Sequence, residues 1–579
     1  PGRGFVAETT SARPAPGAER TPIPGRVGTV SSPGAVNAAP EVGSLSETPT
    51  GVTRSYGVPS RFTPVSNSDL ADPPRGDWLQ WRGSPGAQGY SPLSQIDRQN
   101  VDRLQLAWVW GMEPGTSQSS FLVRDGVIFL PSQANVIQAL DGKDGTLLWE
   151  YRRTFAEGTS IGRGHLRSLA IWEDLVLVAT LDAHLVALDA RTGVVRWETQ
   201  VADHDLGFAY SSGPVVADGK VITGIGGCTR FQEESCFVTA HDARTGKELW
   251  RTYTVARPGE PGGDTWGDYP LELRGGADIW ITGSWDPELG LVYFGTAQAK
   301  PWMAASRGLT TADSTLYANS TLALDVDDGR IVWYRQHVPG ETLDMDEGFE
   351  RVLVDYDDRR SVFTMGKIGV LWEMALQTGR FRNAHDLGYQ TVADINPTTG
   401  QVTYLEGTIP EIGEEVHWCP STSGFKSWRA MAYSPQTSAM YIPITLNCEL
   451  ATFGPTEQVL GGGGTGPVRR INYPHPQSNG NLGELLVLDI PSGEVKWRYR
   501  SRAPINTAAL TTAGGLVFFG DWDRRMFALD AEDGDILWQT RVTTSAQGFP
   551  ISYMVDGRQY IALPAATGGA SWSSMLPRD

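Results

Sequence analysis

What most constrains this chain is a phrase it repeats: Leu or His, then Asp, a turn containing Gly, and a short strand that ends in Trp. Copies run from Leu140 to Trp149, Leu188 to Trp197, His241 to Trp250, Leu324 to Trp333, Leu488 to Trp497 and Leu529 to Trp538. Asp opens a turn by accepting backbone amides, and Gly takes the φ > 0 position that a tight hairpin requires. Each copy therefore predicts the outer hairpin of one blade. A single hairpin cannot bury its Trp alone, so the repetition predicts an all-β propeller whose blades are wedged together by that Trp.

Spacing refines the expectation. Trp149 to Trp197 is 48 residues and Trp497 to Trp538 is 41, each about one four-stranded blade. The 83 residues from Trp250 to Trp333 leave room for a blade plus an insertion. The 164 from Trp333 to Trp497 leave room for two blades with long loops and a degenerate copy at Leu376 to Phe381. With a strand through Trp108 closing the ring, about eight blades result. Period-two runs at Val127 to Leu130, Leu175 to Val178, Val292 to Phe294 and Leu516 to Phe519 predict strands. Residues 1–72, rich in Pro, Gly, Ser, Thr and Ala, predict a disordered or surface-draped arm, with ordered structure starting near Asp77 and the propeller filling 73–579.

Charge and cysteines narrow the function classes. A net charge of -18 without a basic stripe argues against nucleic acid, and no apolar run reaches the roughly 18 residues of a membrane span. Four cysteines fall as Cys228 with Cys236 and Cys419 with Cys448, with no haem-attachment or metal-binding Cys pattern. Two disulfides and an oxidising compartment are expected, and four reduced core thiols are the alternative. The chain opens on Pro-Gly-Arg with no charged-then-apolar leader, so any signal peptide is expected to have been removed.

In Pro339 to Glu347, Glu341, Asp344, Asp346 and Glu347 crowd four acids into seven positions. Such density is repulsive unless a cation sits among the acids, so a metal site competes with a solvated acidic turn. Trp280 offers a flat surface to a flat ligand, although in a chain with 20 Trp a packing role is the ordinary alternative. Together with the opening Trp78 to Leu93 and Leu106-Ala107-Trp108, these segments resemble the quinoprotein alcohol dehydrogenases of the methanol and ethanol type, from about Trp78 to about Gly569.

That resemblance implies an eight-bladed propeller holding pyrroloquinoline quinone (PQQ) and a metal ion on its axis. Asp344 matches the base that takes the substrate hydroxyl proton, with hydride passing to the quinone. Trp280 matches the residue stacked under PQQ, and Arg163 in Gly162-Arg163-Gly164 the arginine that pairs a PQQ carboxylate. Lys367 matches the cation at the quinone oxygens, and Ser211 a hydroxyl at another carboxylate. Cofactor contacts are also implied for Gly227, Cys228, Asp278, Ser427 and Asn506. The implied metal ligands are Asp344, Asp346, Gln298 in the place of an Asn, and the Thr229 position. The spacing of Cys419 and Cys448 resembles a family disulfide.

Three departures stand out. Glu157-Gly158 occupies the place of an adjacent-cysteine disulfide, and Thr229 the place of a metal-binding Glu, which Glu233 or Glu234 would replace by swinging in. Asp346 adds a carboxylate where the lanthanide-using branch has one, which leaves calcium slightly ahead of a lanthanide. Small side chains at Gly226 to Thr229, Ser427 and Asn506 imply a roomier pocket and a bulky or secondary alcohol. The resemblance implies a periplasmic enzyme handing electrons to a separate c-type cytochrome. Rival readings are a cofactor-free scaffold for protein assembly and a degenerate PQQ-binding protein.

Overall fold

The repeated turns fold as their residues dictate. Asp189 accepts the amides of Arg191 (3.0 Å) and Thr192 (2.9 Å), and Gly193 follows at φ 71°. Asp242 does the same for Arg244 (3.1 Å) and Thr245 (2.8 Å), ahead of Gly246 at φ 73°. Each of these hairpins carries a register shift where its last strand starts, as between Ala139 and Leu140 or Ala240 and His241. A bulge there increases local twist and turns the Trp toward the next sheet.

In the computed structural model, residues 51–162, 164–464, 466–567 and 575 are described. Seven four-stranded antiparallel meanders follow one another along the chain, with Tyr90–Ser91 adding a parallel strand to the last and smaller sheets lying between them. The first comprises Leu122–Arg124, Val127–Ser132, Val136–Asp141 and Leu147–Arg153. The other six have the same meander and occupy 170–200, 215–253, 284–336, 352–386, 432–501 and 510–541. A two-stranded hairpin, Ile551–Val555 with Arg558–Ala562, ends the series. First strands from the second sheet to the seventh neighbour one another in order, so the sheets stand side by side around a common centre.

Tryptophans of one sheet reach into the next. Trp149 Nε1 donates to Ala190 O (3.0 Å), Trp197 to Ala243 O (3.1 Å), Trp250 to Val326 O (3.0 Å), Trp333 to Leu376 O (3.1 Å) and Trp497 to Ala531 O (3.3 Å). Their rings lie against the turn glycines of the receiving sheet. A Cβ on Gly193 would stand 2.4 Å from Trp149, and one on Gly534 2.7 Å from Trp497. The degenerate copy departs from this: Phe381 lies against Gly400 of an inserted hairpin, Ala393–Ile395 with Val402–Tyr404, and His385 meets the turn glycine Gly493 of the sixth sheet.

Two expectations need correction. Ordered structure begins well before Asp77: Gly51–Ser55 adds a fifth strand beyond Leu147–Arg153, and Ser66 caps a short helix at Asn67–Ala71. The capping box of Ser66 and Asp69 outweighs the turn-rich composition around it. The segment through Trp108 forms no strand. Its side chains Trp108, Trp110 and Met112 instead pack against the core under the last hairpin, and Trp108 Nε1 donates to Gly142 O (3.1 Å).

Both cysteine pairs form disulfides, Cys228–Cys236 and Cys419–Cys448. Among the described residues, no helix is long and apolar enough to cross a membrane.

Because the strands meander, two kinds of connection alternate. Turns joining first to second and third to fourth strands lie at one end of every sheet. Links from second to third strands, and from a fourth strand to the next sheet, share the other end. The singled-out side chains come from this second set, or from its immediate extension into the inserts.

Candidate active site

Asp344 stands in the link from Ile331–Gln336 of the fourth sheet to Val352–Tyr356 of the fifth. Its backbone is left-handed, φ 68°, a conformation that costs a non-glycine residue about 1–2 kcal/mol. The surrounding loop holds it there. Glu341 accepts the amides of Leu343 (2.5 Å) and Met345 (2.8 Å) on one oxygen. Asn319 brackets the next residues, donating to Met345 O (3.1 Å) and accepting from Glu347 N (3.1 Å).

Four predicted residues meet here. Lys367, in the second-to-third link of the fifth sheet, donates to Asp344 O (2.9 Å) and pairs with the carboxylates of Asp344 (3.1 Å) and Asp346 (2.5 Å). Gln298 donates its side-chain amide to Asp344 and its backbone N–H to Asp346 (3.0 Å). All four are buried. Burial pushes the Asp344 carboxyl well above the ordinary range, against the pull of Lys367 and with Asp346 adding to the rise. Burial opposes the Lys367 charge, but the two aspartates outweigh it and hold its pKa above the usual value. Burial also lifts Glu341, to about 6.

The Lys367 ammonium is 5.6 Å from the centroid of the Trp280 ring. Trp280 in turn forms a wall of a cavity of about 400 Å³, shared with Tyr210, Ser211, Gly227, Thr229 and Arg230. That volume suits a small flat ligand. Arg167 ties this wall together, donating to Ser211 Oγ (2.9 Å) and Trp280 O (2.7 Å). Asp278 accepts the amides of Gly227 (2.7 Å) and Cys228 (3.0 Å) on Oδ1.

Other predicted residues lie apart from the acid cluster or make different contacts. Ser427 O accepts from Lys426 Nζ (3.2 Å), while Asn506 accepts from Arg429 (3.2 Å) and donates to Ser545 (3.2 Å). Thr229 presents its carbonyl to Gly464 N (2.5 Å). Arg163 falls outside the described residues. The suggestion that Glu233 or Glu234 turns inward is corrected: Glu233 is exposed, and Glu234 faces Arg251 (3.6 Å) and Arg257 (3.9 Å), whose cations hold it outward.

Sequence reasoning passed over Arg167 and Asn319. Arg167 could have been found from its place, five residues before the aromatic Trp172 that ends a first strand, in the same link type as Ser211 and Trp280. Asn319 gave no signal, because its role is to bracket a loop distant in sequence.

The chemistry of the donors fits a hard cation beside a flat anion. Gln298 Oε1 and Glu341 Oε2 are buried acceptors without a hydrogen-bond partner, next to two further carboxylates. Leaving such an acceptor unsatisfied costs about 1–3 kcal/mol, which a cation offsets. The cavity meanwhile joins an aromatic face to Arg230 at its mouth and to the Arg167–Ser211 pair.

Comparison with known proteins agrees. The family described as PQQ, glucose/ethanol/alcohol dehydrogenase, β-propeller domain matches residues 78–380 and 478–561. The quinohemoprotein alcohol dehydrogenase ADH IIB of Pseudomonas putida is 32% identical over 526 residues, covering 86% of this chain and 74% of that one. The quinoprotein alcohol dehydrogenase PedH of the same species is 30% identical, covering 87% and 89%. Among solved structures, the quinohemoprotein alcohol dehydrogenase ADHIIG from Pseudomonas putida HK5 superposes with a TM-score of 0.81 at 29% identity, covering 88% and 79%. A europium-containing methanol dehydrogenase gives 0.79 at 25% identity, covering 86% and 91%. The chain belongs to the PQQ-dependent alcohol dehydrogenase family of β-propellers.

Proposed function

We propose that this protein oxidises an alcohol at the buried cluster of Asp344, Asp346, Gln298 and Lys367, with Asp344 taking the hydroxyl proton. The observation that carries this is the convergence of those four side chains beside the Trp280 wall of the cavity. A carboxyl lifted by burial is a stronger base than a solvated one. Lys367 fixes that base through its main-chain oxygen and offers positive charge where negative charge develops.

PQQ, when bound, supplies the two-electron oxidant. Trp280 would lie against its plane, while Arg163 and Ser211 would take its carboxylates, with Arg167 tying Ser211 to the Trp280 wall. Gln298, Asp344 and Asp346 would hold the metal, for which Thr229 provides no carboxylate. Two carboxylates favour calcium, and the europium-containing relative makes a lanthanide the alternative to test.

Finer features follow the same reading. Seven sheets, with the last hairpin joined by the 104–112 segment, make eight blades docked through tryptophan, and 73–579 is then the catalytic propeller. Small side chains at Gly226, Gly227, Thr229 and Ser427 favour a bulky or secondary alcohol. Electrons then pass to a c-type cytochrome as acceptor, which the -18 charge steers if its docking face is basic. The disulfides suit the periplasm.

The test is dye-linked oxidation of a panel of primary and bulky secondary alcohols, with calcium or lanthanum supplied separately. Oxidation that requires PQQ and one of the metals supports the reading. Turnover that is indifferent to both contradicts it.

A further inference from the structure

We infer that Asp278 is an internal anion that fills a carboxylate seat at the edge of the cofactor cavity, and that its charge limits how tightly an anionic quinone binds. This rests on the proposed function and adds a determinant of cofactor affinity to it.

The seat is built by two successive peptide N–H groups. Gly227 and Cys228 both point at Asp278 Oδ1, at 2.7 and 3.0 Å, from a turn in which Gly227 is left-handed (φ 86°). Such a concave pair of amides is an anion-binding nest. The position requires glycine, because a Cβ on Gly227 would stand 2.1 Å from Gly207 O. Gly227 lines the cavity, so the nest lies on the wall that a ligand over Trp280 would meet.

Asp278 occupies this nest from behind. It is 3% exposed, its Oδ2 has no hydrogen-bond partner, and its carboxylate lies with both sulfurs of Cys228–Cys236 inside a 4.8 Å group. Burial disfavours the Asp278 charge and the Lys300 cation favours it, while the neutral disulfide adds no counter-charge. PQQ is a tricarboxylate. At this edge it meets a filled nest and a like charge, whereas the Arg167–Ser211 and Arg230 side attracts it.

The experiment titrates the full chain, prepared without cofactor and at fixed calcium, with PQQ and with its trimethyl ester, following quenching of tryptophan fluorescence. Asp278→Asn keeps an oxygen on both amides and removes the charge. The variant should bind PQQ about tenfold more tightly than wild type, and the ester within about twofold of wild type. Equal or weaker PQQ binding by the variant overturns the inference, as does an ester that gains as much as PQQ. Wild-type binding by itself reports on the proposed function. If neither protein takes PQQ, both readings fall. Should Asp278→Asn not fold by circular dichroism, Asp278→Ser carries the same expectation.

Discussion

The two ends of the sheets are built by opposite rules. At one end, the turn between third and fourth strands repeats Asp, Gly and a docked Trp from sheet to sheet, as in Asp189, Gly193 and the incoming Trp149. At the other, the links share no sequence, and they carry buried charges: Asp344, Asp346, Lys367 and the fully buried Lys426–Glu350 pair at 2.6 Å. The repeating end is satisfied by hydrophobic burial and local hydrogen bonds. The irregular end keeps orphan acceptors and a left-handed Asp344, features that cost stability and persist where a ligand offsets them. Stability and function should therefore separate by end.

The sharpest way to break that separation is Asp344→Asn. Loss of the base should lower dye-linked alcohol oxidation by about a thousandfold, with an unchanged melting temperature in calorimetry. A fall in stability without loss of turnover would reverse the assignment of the two ends.

Trp149→Ala probes the opposite end. Removing a fully buried indole that donates to Ala190 O should destabilise the protein by about 3–5 kcal/mol in urea unfolding, while kcat at low temperature stays near wild type. Gly193→Val should act in the same direction, since the position is at φ 71° and packed against Trp149.

A smaller effect is expected at Gln298. Replacement by Leu removes an oxygen donor and the amides' tie to Asp344, and should weaken calcium or terbium binding by about 10- to 100-fold in a luminescence titration. Unchanged metal affinity would remove Gln298 from the ligand set.

Asp521 gives the smallest effect, and a pH signature. Burial raises its carboxyl to about 6, and its Oδ2 has no partner. The native state therefore holds the proton more tightly than the unfolded chain does. Its stabilising contribution is full below the ordinary carboxylate range and is lost as pH rises through about 6. Asp521→Asn should gain about 1–2 kcal/mol at pH 8 and nothing near pH 4. A gain that is equal at both pH values would mean that packing, and not ionisation, is responsible.

The same division explains what the sequence disclosed. The Asp-Gly-Trp hairpins were legible because each is specified by residues within about ten positions of one another, and the period-two strands beside them likewise. Asp344 and Asp346 stood out as part of a crowded acid run, but their meeting with Lys367 and Trp280 was legible only through the resemblance, because it depends on links from three sheets. Arg167 was missed because it is defined only by its distant partners Ser211 and Trp280. Asp278 was named as a contact, but its hold on the Gly227 and Cys228 amides is a tertiary fact with no local trace. The strand at Gly51–Ser55 was hidden in the same way, since it forms by pairing with Leu147–Arg153 about a hundred positions away.

The measurement that bears most directly on the account is the stoichiometry of PQQ binding to the purified full chain, read by cofactor absorbance in parallel calcium, lanthanum and metal-free buffers. The account predicts one PQQ per chain in at least one metal buffer, and markedly weaker uptake without metal. No uptake in any buffer, or uptake indifferent to metal, would contradict it.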